Sequence, residues 1–243
     1  MKPKIFNKLK TPSHLFWADI LLIAIPMLIW ASAFSLRPSF IKPKCAINPS
    51  SCVKENVFFL DQITLGKEIE EADGLSFWSQ NLSGAFSVCL ILFWAFFLFF
   101  SKIISLKASC IQFFIDSLLI LQATIWNGAL NEICRLIIQR PRPFVYSDPS
   151  QSGLDIAHYT SFYSGHTSFA AVSTVTAILC LMGRKFHPIL LKLSFIISFY
   201  LIFFTGFFRV FSGRHFITDV VAAAIAGTVI AFSVVLLHKK PTA

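Results

Sequence analysis

Gly84-Ala-Phe-Ser-Val-Cys-Leu-Ile-Leu-Phe-Trp-Ala-Phe-Phe-Leu-Phe-Phe100 is a run of 17 residues without a single charge. At about 1.5 Å per residue, a helix of this length approaches the roughly 30 Å hydrocarbon core of a bilayer. Five more stretches approach or meet the same length: Leu15–Leu36, Ile111–Ile133, Thr167–Met182, Leu190–Phe208 and Phe216–Leu237. Lipid offers the backbone no hydrogen-bond partners, so such segments must be helices. The expected fold class is therefore all-α, a polytopic membrane protein built as a bundle of six transmembrane helices. Composition agrees. Of 243 residues, 56% are hydrophobic and 28 are Phe, while only 14% are charged, against roughly 25% in soluble domains. That is too little charge to coat a soluble surface. The fourth stretch is the shortest and is rich in Ser and Thr. It is expected inside the bundle, with hydroxyls bonding across helices. The chain reads as one integral-membrane domain, 1–243, with a mixed polar loop at 37–83.

Charge sets the orientation. With the N-terminus cytoplasmic, the inner segments carry Lys2, Lys4, Lys8, Lys10, Lys102, Lys107, Arg184, Lys185, Lys239 and Lys240, nearly free of acids. This follows the positive-inside bias. Both termini are then cytoplasmic. In the first outer loop Arg37, Lys42, Lys44, Lys54 and Lys67 are offset by Glu55, Asp61, Glu68, Glu70, Glu71 and Asp73. Arg135, Arg140, Arg142, Arg209 and Arg214 violate the bias, all on the outer side. A face that gathers cations against the bias has a use for them. The net charge of +9 divides between topology signal and this cluster. Basic residues split between two faces do not make a nucleic-acid surface. Ala31-Ser32-Ala33 resembles a signal-peptidase site, but the apolar run continues through Leu36, long enough to span. Cys89, Cys110, Cys134 and Cys180 read as small packing residues. Cys45 and Cys52 share the outer loop, where an oxidising compartment would let them pair. Neither a CxxC pair nor a His/Cys cluster suggests a metal site. No internal repeat and no obligate protein partner is evident.

Three short segments meet at the outer face. They are Arg135-Leu-Ile-Ile-Gln-Arg-Pro-Arg-Pro143, Ser161-Phe-Tyr-Ser-Gly-His-Thr167 and Arg209-Val-Phe-Ser-Gly-Arg-His-Phe-Ile-Thr-Asp219. His215 and Asp219 are four apart at a helix start and share one face. A carboxylate there would accept the imidazole Nδ1–H and leave Nε2 free to attack. Ser164-Gly165-His166 opens another helix, whose free N–H groups and positive dipole end suit phosphate. His166 is placed to protonate a leaving oxygen. Arg135, Arg142 and Arg209 offer bidentate forks to phosphoryl oxygens, with Arg140 and Arg214 as possible headgroup contacts. Pro141 and Pro143 stiffen the turn that carries Arg142. Each feature alone has an ordinary reading: a helix-start pair, a helix cap, interfacial arginines on lipid headgroups. Their convergence on one face favours chemistry.

These motifs resemble the type 2 phosphatidic acid phosphatase superfamily. Its three signatures, Lys-x6-Arg-Pro, Pro-Ser-Gly-His and Ser-Arg-x5-His-x3-Asp, correspond here to Arg135-x6-Arg142-Pro143, Tyr163-Ser164-Gly165-His166 and Phe208-Arg209-x5-His215-x3-Asp219. The resemblance implies that His215 forms a phosphohistidine intermediate and Asp219 orients it. His166 would protonate the leaving alkoxide and then help activate water. Arg135, Arg142, Arg209, Ser164 and the Gly165 N–H would hold the phosphate. It implies no metal and no other cofactor. Arg135 for Lys, Tyr163 for Pro and Phe208 for Ser depart from the pattern. The Tyr is expected to loosen the turn, and the Phe removes a phosphate donor. The expected function is a metal-independent phosphohydrolase acting on a membrane lipid phosphate or diphosphate, with its site at the periplasmic face of a bacterial inner membrane. Candidate substrates are lipid A, a polyprenyl diphosphate, phosphatidylglycerophosphate and phosphatidic acid. A lipid phosphotransferase with the same site and a non-catalytic lipid binder or transporter are the alternatives. Asp19, Asp116 and Glu132, near span ends, give transport little support.

Overall fold

A computed structural model describes residues 16–184 and 186–238 of the chain. Six long helices organise it: α1 (Phe16–Phe40), α2 (Glu70–Phe100), α3 (Leu106–Ile138), α4 (Gly165–Gly183), α5 (Pro188–Phe211) and α6 (Ile217–Leu237). All six are long and apolar enough to cross a membrane, and the described residues form no strand. The molecule is an all-α polytopic bundle. The basic residues Lys2, Lys4, Lys8, Lys10, Lys185, Lys239 and Lys240, on which the orientation partly rests, lie outside the described residues.

α4 is the hub. It packs against α2, α3, α5 and α6, while α1 lies outside the others against α3. Its sequence, GHTSFAAVSTVTAILCLMG, explains the position: small side chains let four neighbours approach closely. The main core joins Leu119 and Ala123 of α3, Val172 and Leu179 of α4, and Ile230 and Val234 of α6. The expectation that α4 hydroxyls bond across helices holds at one place, where Asn127 Nδ2 donates to Ser168 Oγ at 3.0 Å. Ser173, Thr174 and Thr176 instead donate to carbonyls four residues back in their own helix. Those carbonyls are the nearest acceptors when the facing surfaces are apolar. Large apolar side chains such as Leu28, Phe100 and Phe199 remain exposed, as a lipid-facing perimeter requires. Cys89 and Cys110 are exposed too, so only Cys180 is a core packing residue and Cys134 is half-buried.

Asp116 and Asp19, within the spans, are partnered, as a low dielectric demands. Arg184 Nη2 donates to Asp116 at 2.7 Å. Gln122 Nε2 donates to Asp19 at 2.8 Å, and His238 Nε2 lies 3.0 Å from the same carboxylate. The outer loop is short helical turns between residues 41 and 69, closed by a Cys45–Cys52 disulfide. Cys45 is buried against Phe144, Val145 and Tyr159. The Tyr159 hydroxyl accepts from the Cys45 N–H and donates to the Gly153 carbonyl, both at 2.8 Å. The loop is thereby fixed to the segment carrying Arg142.

Candidate active site

All three motif segments meet at the loop-bearing end of the bundle. His215 lies in the turn between α5 and α6 and is 1% exposed. That turn has a backbone requirement. Gly213 has φ +72°, and a Cβ there would lie 1.7 Å from the Lys67 carbonyl oxygen. The outer loop is thus packed directly on the turn that presents His215, and only glycine fits.

The expected Nδ1–H bond from His215 to Asp219 is not the one the structure makes. Nδ1 lies 2.6 Å from the Ser161 carbonyl and 3.8 Å from Asp219 Oδ2. A carbonyl only accepts, so Nδ1 carries the hydrogen and Nε2 the lone pair. Asp219 is one step removed. Its Oδ2 accepts from Ser161 Oγ at 2.6 Å and from the Phe216 N–H at 3.0 Å, capping α6 while facing the imidazole. The tautomer is therefore set by backbone, and the carboxylate supplies charge. Burial holds the His215 imidazole well below its usual range, at about 3, and the Arg209 and Arg142 charges push the same way, against Asp219. The ring is neutral, as an attacking nitrogen must be.

Arg140 is a second departure. The sequence offers it as a possible headgroup contact. Instead Nη1 donates to Asp219 Oδ1 and to Thr218 Oγ1, and Nη2 donates to Asp61 at 2.7 Å. The guanidinium also lies 4.0 Å from the centre of the Phe216 ring. Asp61 is fully buried and accepts further bonds from the Thr218 N–H and hydroxyl. With both Nη groups bonded to buried carboxylates, Arg140 is a brace between the outer loop and Asp219. Arg214 bonds Asp73 Oδ2 through Nε at 3.1 Å and remains partly exposed.

Three arginines remain, and they behave differently. Arg135 lies against the start of α4: a Cβ built on Gly165 would sit 3.1 Å from its Nη2, so glycine allows the guanidinium its approach. Glu132 holds Arg135 at 2.6 Å and also takes Arg37 of α1. Arg209 donates to Asp73 of α2 and, at 3.3 Å, to Ser76. Arg142 has a single weak bond, to Thr160 Oγ1 at 3.4 Å, and no carboxylate within salt-bridge reach among the described residues. In each of the three, the Nε–H is buried without an acceptor among the described residues. All three bear electrostatically on His166, together with Asp73. Buried donors left without an acceptor are costly, so these three Nε–H groups are candidate donors to an anion.

The rest of the second segment is firmly held. Ser164 is buried, its N–H donating to the Asp219 carbonyl at 3.3 Å and its hydroxyl accepting from Thr167 at 3.1 Å. Tyr163 does not loosen the turn as expected. Its carbonyl accepts from Asn131 at 2.7 Å and its hydroxyl reaches Asn127 at 3.3 Å, which replaces the stiffness of a proline by side-chain bonds. Phe208 packs on Phe204 and Phe207. Ser76, from a different helix, brings a hydroxyl to Arg209.

Sequence reasoning missed Asp61, Asp73, Glu132 and the structural part played by Ser161. Glu132 could have been found as an i,i+3 partner of Arg135. Asp61 and Asp73 looked only like counter-charges in a mixed loop, and nothing local marked them.

A family model described as the PAP2 superfamily matches residues 116–243, more than half of the chain and all three motif segments. No curated protein and no solved structure matches.

Proposed function

Because the chain belongs to the PAP2 superfamily, which supports a phosphatase-type activity, we propose that it is a metal-independent lipid-phosphate phosphohydrolase working through a phosphohistidine. The observation that carries this is a buried, neutral His215 with, among the described residues, no partner on Nε2, together with three arginines whose Nε–H groups have no acceptor there.

The phosphoryl group sits among Arg135, Arg142 and Arg209, with Ser164 and the Gly165 N–H completing the cradle. His215 Nε2 attacks phosphorus as the bond to the lipid oxygen breaks. The leaving alkoxide takes a proton from His166, whose charged form the substrate's negative charge favours. His166 then accepts a proton from water, the hydroxide attacks phosphorus, and the P–N bond breaks to release inorganic phosphate. The arginines offset charge on the equatorial oxygens throughout, and Asp219 offsets the charge that develops on His215.

Membrane placement fits this reading. The loop that packs on the site carries the Cys45–Cys52 disulfide, and disulfides persist in oxidising compartments. This supports reading the site-bearing face as the periplasmic face of a bacterial inner membrane. Lipid A, polyprenyl diphosphates, phosphatidylglycerophosphate and phosphatidic acid are the candidate substrates. The test is release of inorganic phosphate from these lipids by detergent-purified protein in a chelator. Release should be retained with chelator and abolished by His215→Ala. Release from none of them would leave a lipid binder.

A further inference from the structure

α5 and α6 both pack on α4 and touch each other sparsely. Between them lies an open groove of about 720 Å³, within the range of ligand pockets. One wall is a ladder: Phe199, Phe203, Phe207 and Phe211 of α5, four residues apart, stack in sequence. Their centroids are 6.3, 6.2 and 5.7 Å apart and the ring planes lie within 20° of parallel. Twelve residues of helix make this rail about 18 Å long. The opposite wall is Val220 and Ala224 of α6. Exposure along the ladder falls from 64% at Phe199 to 42% at Phe211, so the groove closes in toward the outer face.

What distinguishes it from a generic lipid-facing crease is where it ends. Thr167, in its floor, adjoins His166 and bonds Ser164. Val210 adjoins Arg209, and Ile217 is two residues past His215. Lys67, the one charged side chain in the lining, stands at the mouth with Nζ 5.8 Å from the Phe211 ring centre. The apolar rail thus ends at Thr167, whose hydroxyl bonds Ser164 of the proposed phosphate seat.

We propose that this groove holds one hydrocarbon chain of the lipid phosphate while its phosphate lies at His215. The inference rests on the lipid-phosphate reading above. A chain gains no hydrophobic energy by leaving the bilayer for protein, because lipid tails are as apolar as the groove. The gain is orientation: a chain laid along the rail fixes the approach of the phosphorus to Nε2. Lys67 meets the polar junction between chain and phosphate.

Two measurements test it. The first is photocrosslinking with a single-chain alkyl phosphate carrying a diazirine in the chain. Label should fall on peptides spanning Phe199–Phe211 and Ile217–Ile225, and excess unlabelled alkyl phosphate should suppress it while phosphatidylcholine does not. The second is Ala224→Trp, which fills the groove. It should lower kcat/KM for the alkyl phosphate relative to p-nitrophenyl phosphate on the order of ten-fold. Label spread over all six helices, label indifferent to competition, or an unchanged ratio would overturn the proposal. If the wild-type protein hydrolyses neither compound but competed label still falls on α5 and α6, the enzymatic reading fails and the groove stands. If both are hydrolysed and the label lies elsewhere, the groove fails and the enzyme stands.

Discussion

Asp219→Asn separates two ways a carboxylate can serve a histidine. In Ser-His-Asp enzymes the acid is bonded directly to Nδ1–H, and its amide variant costs about 10⁴ in kcat by reversing the tautomer. Here the Ser161 carbonyl holds Nδ1 at 2.6 Å, while Asp219 stands 3.8 Å away. The substitution therefore removes charge and leaves the tautomer. Two unit charges about 4 Å apart attract by about 4 kcal/mol at an effective dielectric near 20. His215 gains only part of a charge in the transition state, and Arg140 already shares the carboxylate. A loss of about 2–3 kcal/mol follows, about 30- to 150-fold in kcat. KM should move little, since the bonds to Asp219 come from Arg140, Ser161 and Phe216 and not from Arg135, Arg142 or Arg209. The assay is steady-state phosphate release with melting temperature as a control, alongside ¹⁵N NMR of the His215 ring. The predicted spectrum keeps the hydrogen on Nδ1. A 10⁴-fold fall in kcat with the hydrogen moved to Nε2, in a protein that still melts normally, would refute the assignment of the tautomer to Ser161.

Other outcomes are expected. Asp73→Asn removes a negative charge from Arg209 and Arg214, so inorganic phosphate should inhibit the variant several-fold more strongly, by about 1 kcal/mol of relieved repulsion. Weaker inhibition would show that Asp73 chiefly positions Arg209. Because His215 is depressed to about 3, its active neutral form is complete above about pH 4 and is lost as pH falls through 3. Its Cε1–H resonance should not titrate between pH 5 and 8, and a midpoint near 6.5 would contradict the burial argument. Cys45→Ser opens a loop of seven-residue separation, which chain entropy values at about 2 kcal/mol. The variant should melt lower in detergent, and an unchanged melting temperature would mean that Tyr159 and Phe144 hold the loop alone.

The spans were legible because hydropathy reports the bilayer segment, and it reports little else. Gly84–Phe100 is the apolar end of a helix that begins at Glu70. Its first turn, with Glu70, Glu71 and Asp73, is acidic and carries no apolar signal. Ile111–Ile133 likewise underestimates Leu106–Ile138. The part of the site that depends on residue type and spacing was also readable: His215, His166, Asp219 and the arginines do gather at one end. Partners chosen by folding were not. The acceptor for His215 Nδ1 is a backbone carbonyl 54 residues away, and no side chain announces it. Arg140 looked like any interfacial arginine until Asp61, 79 residues away, came to lie beside it. The outer loop, outside residues 116–243, looked like a spacer and proves to fasten both the His215 turn and Asp219.

The central claim is that His215 Nε2 takes the phosphoryl group. Rapid quench in alkaline detergent of the protein turning over a lipid labelled in its phosphate, followed by digestion at alkaline pH, reads it directly. The expected result is an alkali-stable, acid-labile phosphate on the peptide containing His215, absent in His215→Ala along with phosphate release. Substantial phosphate release by His215→Ala would contradict it.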